Sequence, residues 1–177
     1  MIKIYCCRVG NLIDNSHFDR TFHKPIIQNK YENIRWALNK ASLHKNTIKK
    51  INKEINDGNK NYVVLFPNKP NDYPYAICEL ILIKERILGP LIAFDETNED
   101  RGWVNGTSSG NDDFSYDLIF SKIYLLNEKS FGRIKLKGQK TFFELKIGFK
   151  NEELYKKILE EIKFIKIYVE PIICKIK

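Results

Sequence analysis

The sequence predicts an α+β fold, a small curved β-sheet or barrel of five to six strands flanked by helices. Three observations carry this. Apolar runs rich in β-branched and aromatic residues recur at strand length over residues 2–9, 62–66, 75–87, 114–126 and 133–149, parted by glycine, proline and asparagine turns. Two stretches repeat their apolar residues at helical spacing instead, Ile48, Ile51 and Ile55 early and Leu154, Ile158, Ile162 and Ile165 late. No repeat, linker or low-complexity tract divides the chain, and its 177 residues suit one domain, residues 1–177, burying roughly two-thirds of its unfolded surface.

Residues 2–9 read as the first strand, ended by Gly10-Asn11. Asn11, Asp14 and Asn15 make a turn, and residues 16–28 are irregular. His17 and His23 there are six apart, so they do not share a helical metal face. Residues 31–38 read as a short helix or turn-rich segment that presents Trp36. Asn46-Thr47 is expected to cap the next helix, which carries Lys49, Lys50 and Lys53 away from its apolar stripe and ends at Asp57-Gly58.

Residues 62–66 form a continuous apolar run, hence a buried strand, and residues 67–72 a turn. Residues 75–87 return as its antiparallel partner, with Glu79 near the middle. After Gly89-Pro90 a long polar loop, residues 95–113, carries Trp103 toward the aromatic strand at residues 114–126. A loop of that length in a compact domain is more often functional than idle. Ile134-Lys135-Leu136 and residues 141–145 supply further strand, interrupted at Gly138. Asn151 is expected to cap the last helix, whose stripe is widened by Tyr155 and Leu159. Beyond Lys163 the alternation Ile165, Ile167, Val169 also fits a closing strand, broken by Pro171.

Composition narrows the function classes. Thirty Lys and Arg against 22 Asp and Glu leave a net charge of +8, which favours a polyanionic partner and a salt-dependent affinity. The four cysteines, Cys6, Cys7, Cys78 and Cys174, lack metal-site spacing and read as buried free thiols in a reducing compartment. Met1 leads straight into a strand pattern and no apolar run approaches the ~20 residues of a membrane span, so an intracellular soluble protein without a membrane partner is expected.

Phosphate loops, His-Glu-x-x-His, Gly-x-Ser-x-Gly and Cys-x-x-Cys are all missing, so no catalytic residue, metal or cofactor is assigned. One enzymatic pattern remains: Glu144-Leu145-Lys146 with Asp117 imitates the acid, acid and lysine set of magnesium-dependent nucleases. The aromatic pair is the stronger signal. Trp36 and Trp103, if brought together, would sandwich a flat heterocycle, each face contributing about 1–3 kcal/mol. A methyl group on that ring adds apolar contact, so such a cage separates a modified base from an unmodified one. Taken apart, the two indoles are separate hydrophobic anchors.

A further signal lies in the order of features: a first strand through Arg8, Trp36 before a polar helical segment, Val63-Val64-Leu65-Phe66, a turn, a strand ending in Ala76-Ile77-Cys78-Glu79, a looped Trp103, and Phe114-Ser115-Tyr116-Asp117-Leu118-Ile119. Over roughly residues 2–146 this order resembles the YTH and EVE domains of the PUA-like superfamily, and Gly138-Gln139 is similar to their closing Gly-Gln-Glu segment. The resemblance implies a PUA-like domain that reads nucleic acid without catalysis, binding single-stranded or flipped-base RNA or DNA beside a basic groove. By the same resemblance Arg8 and Asn11 would contact the base edge, and Trp36 and Trp103 would form the cage. Lys49, Lys50, Lys53, Lys135 and Lys137 are the candidate contacts to the backbone phosphates. Lys137 stands where many readers carry an acidic residue, and Ala37 where Ser or Thr is usual, so a modified-base pocket is implied rather than one specific for N6-methyladenine. Readings from other classes are a magnesium-dependent nuclease of a defence or restriction system and a protein-interaction module.

Overall fold

The computed structural model describes residues 1–9, 34–39, 42–67, 74, 76–85, 114–126, 131, 134, 136–138 and 140–166. In chain order these form β1 (Ile2–Val9), β2 (Ile34–Asn39), α1 (Lys45–Asn56), β3 (Lys60–Pro67), β4 (Ala76–Glu85), β5 (Phe114–Leu125), β6 (Phe142–Leu145) and α2 (Glu152–Phe164). The strands make one sheet in the order β2-β5-β4-β3-β1-β6. Every neighbouring pair is antiparallel except β1 and β3, which run parallel. A parallel pair needs a crossover, and the chain from β1 to β3 supplies it through β2 and α1. The protein is thus α+β. β2 and β6 are opposite edges with no ladder between them among the described residues, so the sheet is open where a barrel would close.

Both faces of the central strands are buried, which explains the continuous apolar runs at residues 4–7 of β1 and 62–66 of β3. Along β1, Tyr5 and Cys7 enter one core and Ile4 and Cys6 the other. α1 covers the first core with Ile48 and Ile51, and α2 covers the second with Leu154, Ile158 and Ile162. Full burial of each such side chain stabilises the fold by about 1.5–3 kcal/mol. Two irregularities bend the β4–β5 ladder. Glu79 pairs with Lys122 but Leu80 with Phe120, and Leu82 then pairs with Ile119, so Ser121 and Ile81 are extra residues. One extra residue exchanges the two faces, which is how Cys78, Leu80 and Ile83 share a core at odd spacing.

Several local expectations are corrected. Residues 34–39, Trp36 included, form neither helix nor turn but strand β2, with Trp36 opposite Leu118 of β5. The long β5 has an edge whose backbone groups need partners, and β2 provides them. His44, not Asn46 or Thr47, sits at the N-cap of α1, without a side-chain cap bond, and both predicted caps fall inside the first turn. The C-terminus is as expected: Asp57 caps the helix and Gly58, at φ +84°, takes the left-handed geometry that a Cβ disfavours. Asn151 is at the N-cap position of α2, but its side chain makes no cap bond. Ile165 continues helically and is buried in the core beneath α2, so no strand begins there; residues 167–171 lie outside the described residues. Ile134 and Leu136 are buried in the same core outside any strand, and Ala76 opens β4 rather than preceding its end. No helix among the described residues is long and apolar enough to cross a membrane.

Candidate functional site

β6 is a four-residue edge strand, paired only with β1. Its register sets Phe142 and Glu144 against Cys7 and Tyr5, on the α1 side, and leaves Phe143 and Leu145 toward the core beneath α2. The flanking sequence is Lys140-Thr141 before the strand and Lys146-Ile147-Gly148-Phe149-Lys150 after it. Where this edge meets the entrance to α2 lies an open cleft of about 530 Å³. Lys137, Lys140, Lys146 and Lys150 line it, with Phe143, Phe149 and Glu144 between them.

Each wall of the cleft is fixed by identifiable bonds. Gly148, at φ +80°, reverses the chain, and its N–H donates to Glu152 Oε2 at 2.8 Å. The Glu152 N–H donates to Phe149 O at 3.1 Å, closing the turn. In that turn Phe149 is 67% exposed, with Lys146 Nζ 5.9 Å from its ring centroid. On the other wall the Asn151 amide grips one residue twice: its Nδ2–H donates to Lys137 O at 2.9 Å, and the Lys137 N–H donates to its Oδ1 at 2.7 Å. This explains why Asn151 does not cap α2, since its polar atoms serve the approaching segment instead. Arg8 braces the same segment from behind. Its Nη2 donates to the carbonyls of Leu136 and Gly138, and its N–H donates to Thr141 O at 2.8 Å.

The electrostatics favour an anion. Glu144 is the one acidic side chain of the lining, and it is paired with Lys146 at 3.2 Å. Lys137, Lys140 and Lys150 make no ion pair among the described residues. Next to the cleft, the bond from Lys156, and after it the bond from the Gly148 N–H, hold the Glu152 carboxyl below the usual carboxylate range.

Polar groups elsewhere serve the interior. Glu54 of α1 accepts from Lys3 and, at 3.5 Å, from the Tyr5 hydroxyl. Burial first, then the charges of Glu54 and Glu144, push the Tyr5 phenol well above its ordinary value. The Tyr5 ring stacks on Phe142 with centroids 5.3 Å apart. Glu79, 7% exposed at its side chain, is matched by Lys60 at 2.6 Å. Cys6, Cys7 and Cys78 are free, as the sequence predicts, and fully buried; desolvation raises all three thiols, Cys7 to about 12.

No family model matches the chain, and no curated protein matches it. The site is therefore read from its own chemistry.

The residues singled out from sequence fall in different places. Asn11, Trp103 and Lys135 lie outside the described residues. Trp36 is on the edge strand β2 and Arg8 near the end of β1, with β5, β4 and β3 between them, a separation of roughly 19 Å along the sheet. Those two are not brought together. Lys49, Lys50 and Lys53 are exposed on α1, on the opposite side of the sheet from α2, whereas Lys137 is in the cleft. The nuclease-like set is dispersed too. Asp117 is buried on β5, and β4, β3 and β1 separate it from Glu144 on β6. No group of three His, Cys, Asp or Glu suited to a metal occurs among the described residues. Sequence reasoning passes over Lys140, Phe143, Phe149 and Lys150, and takes Lys146 only as the lysine of the nuclease-like set. Their signal is the alternation of lysine with phenylalanine over residues 140–150, which by itself reads only as strand material.

Proposed function

We propose that this protein is a non-enzymatic nucleic-acid binder of PUA-like, YTH/EVE type, taking a single-stranded or flipped-base segment of RNA or DNA. The observation that carries the reading is the convergence of Lys137, Lys140, Lys146 and Lys150 on one braced cleft with a single, already paired, carboxylate. Lysines grouped around a concavity attract a phosphate chain, and each phosphate they neutralise releases counterions. The net charge of +8 supports the same partner. In this reading the cleft positions the backbone, with Arg8 bracing its wall and Lys135 a further phosphate contact, while Trp36, Trp103 and Asn11 form the modified-base pocket that the family resemblance implies; Lys49, Lys50 and Lys53, on the opposite side of the sheet, are left as a solvated helix face. Positioning and specificity are then separate properties of separate groups.

The test is a titration of fluorescent oligonucleotides, RNA and DNA, with and without base methylation, in the presence of magnesium. Salt-sensitive binding without cleavage is expected. Trp36→Ala and Trp103→Ala should each remove any preference for the modified base while leaving the affinity for unmodified strands in place. Absence of binding to every oligonucleotide overturns the reading, and magnesium-dependent cleavage lost in Glu144→Gln replaces it with a nuclease.

A further inference from the structure

Phe149 is large, apolar and two-thirds exposed, yet the backbone that carries it is held in place. Its backbone sits in a turn fixed by Gly148 at φ +80° and by two bonds of the main chain, from the Gly148 N–H to Glu152 Oε2 and from the Glu152 N–H to Phe149 O. Folding thus spends ordering on a residue that hides little surface, the reverse of what hydrophobicity alone would select. Lys146 Nζ is 5.9 Å from the ring centroid, Lys150 is the next residue, and Lys137 and Lys140 line the same cleft. An exposed aromatic ring carried on a fixed turn among lysines is an arrangement by which proteins hold unpaired bases: the ring stacks on the base and the cations follow the phosphates.

We infer that Phe149 is a base-stacking platform and that the β6 cleft, defined by Lys137, Lys140, Lys146 and Lys150, is a binding site selective for single-stranded over duplex nucleic acid. This rests on the nucleic-acid reading above and adds to it a second base contact, distinct from Trp36 and Trp103. The physical ground for selectivity is access. In a duplex each base is covered above and below by its neighbours, so a phenyl ring finds no free face, whereas a single strand presents one at little cost. A volume of about 530 Å³ is within the range of roughly 300–1,000 Å³ common for small-ligand sites, enough for one or two unstacked units rather than a helix. An acidic peptide would satisfy the lysines but would leave the ring without a flat partner, and an anionic membrane would call for a broader apolar surface.

The experiment is fluorescence anisotropy with a labelled ten-nucleotide single strand and a hairpin duplex of the same composition, using the wild-type chain and Phe149→Ala, Phe149→Trp and Phe149→Leu. Loss of one stacking face should weaken single-strand binding roughly 5- to 150-fold in Phe149→Ala. Phe149→Trp should retain the affinity, and Phe149→Leu, apolar but without a π-face, should not. Duplex binding should be the same in all four proteins. The exposure of Phe149 lets these variants fold, which a circular dichroism melt verifies. A wild-type protein that binds no oligonucleotide overturns the nucleic-acid reading and this inference with it. Wild-type binding that Phe149→Ala leaves unchanged overturns only the inference. Equal loss on duplex and single strand, or full rescue by leucine, overturns the stacking role, and tighter capture of a poly-glutamate peptide than of the single strand assigns the cleft to an acidic protein segment.

Discussion

α1 and the entrance to α2 are built alike and differ in what they expose. Each supplies an asparagine whose amide grips a backbone with two bonds. Asn52 of α1 donates to Ile83 O at 2.8 Å and accepts the Ile83 N–H at 2.9 Å, and Asn151 does the same for Lys137. Each also carries exposed lysines, Lys49, Lys50 and Lys53 on α1 against Lys137, Lys140, Lys146 and Lys150 around the cleft. On α1 the lysines radiate from a convex helix with no aromatic side chain on it. Around β6 they converge on a concavity that holds two phenylalanines. Charge is equal in kind at the two places; shape and aromatic content are not, and a low-dielectric concavity focuses a field that a convex surface disperses.

The largest expected effect concerns the inner side of α1. Ile51 is 1% exposed, so Ile51→Ala should cost about 2–5 kcal/mol in denaturant unfolding while leaving the oligonucleotide affinity of the folded protein unchanged. A clear loss of affinity in the folded variant would mean that α1 takes part in binding after all. The two asparagines give the next test. Asn52→Ala orphans backbone groups of buried Ile83 and should lose about 1–3 kcal/mol of stability, whereas the Lys137 groups freed by Asn151→Ala are exposed to water and should cost no more than about 0.5–1.5 kcal/mol. Only Asn151→Ala should also weaken binding, because it frees the segment that carries Lys137; equal affinities would erase the distinction between the regions.

Alkaline pH probes the core that α1 covers. Burial keeps the Cys7 thiol protonated up to about 12, whereas the unfolded chain releases that proton from the ordinary value of 9.0. A raised folded value gives a contribution that is whole below pH 9.0 and declines as pH rises toward about 12. Denaturant midpoints should therefore drop above pH 9, less steeply in Cys7→Ala. An alkaline limb identical in that variant would remove Cys7 from the account.

Much of the fold is legible in the sequence because its signals are local. β1 matches its predicted span, and α1 and α2 follow the spacing of Ile48 and Ile51 and of Leu154, Ile158 and Ile162. The misreadings share a cause, since each depends on a partner far away in sequence. Trp36 is in a strand because β5 needs a neighbour, and Asn151 abandons its cap because Lys137 arrives beside it. The cleft is hidden for the same reason. Residues 140–150 show a mixed pattern, and nothing local reveals that β6 is an edge or that residues 137–138 fold against the entrance of α2.

The central claim, that the β6 cleft rather than the α1 surface carries the phosphate chain, is tested most directly by the salt dependence of single-strand affinity in two multiple variants. Replacing Lys137, Lys140, Lys146 and Lys150 by alanine should flatten the log–log slope by about 0.7 for each phosphate that is no longer neutralised. Replacing Lys49, Lys50 and Lys53 should leave the slope close to that of the wild type. The reverse result, a slope flattened by the α1 replacements and untouched by those in the cleft, would contradict the account.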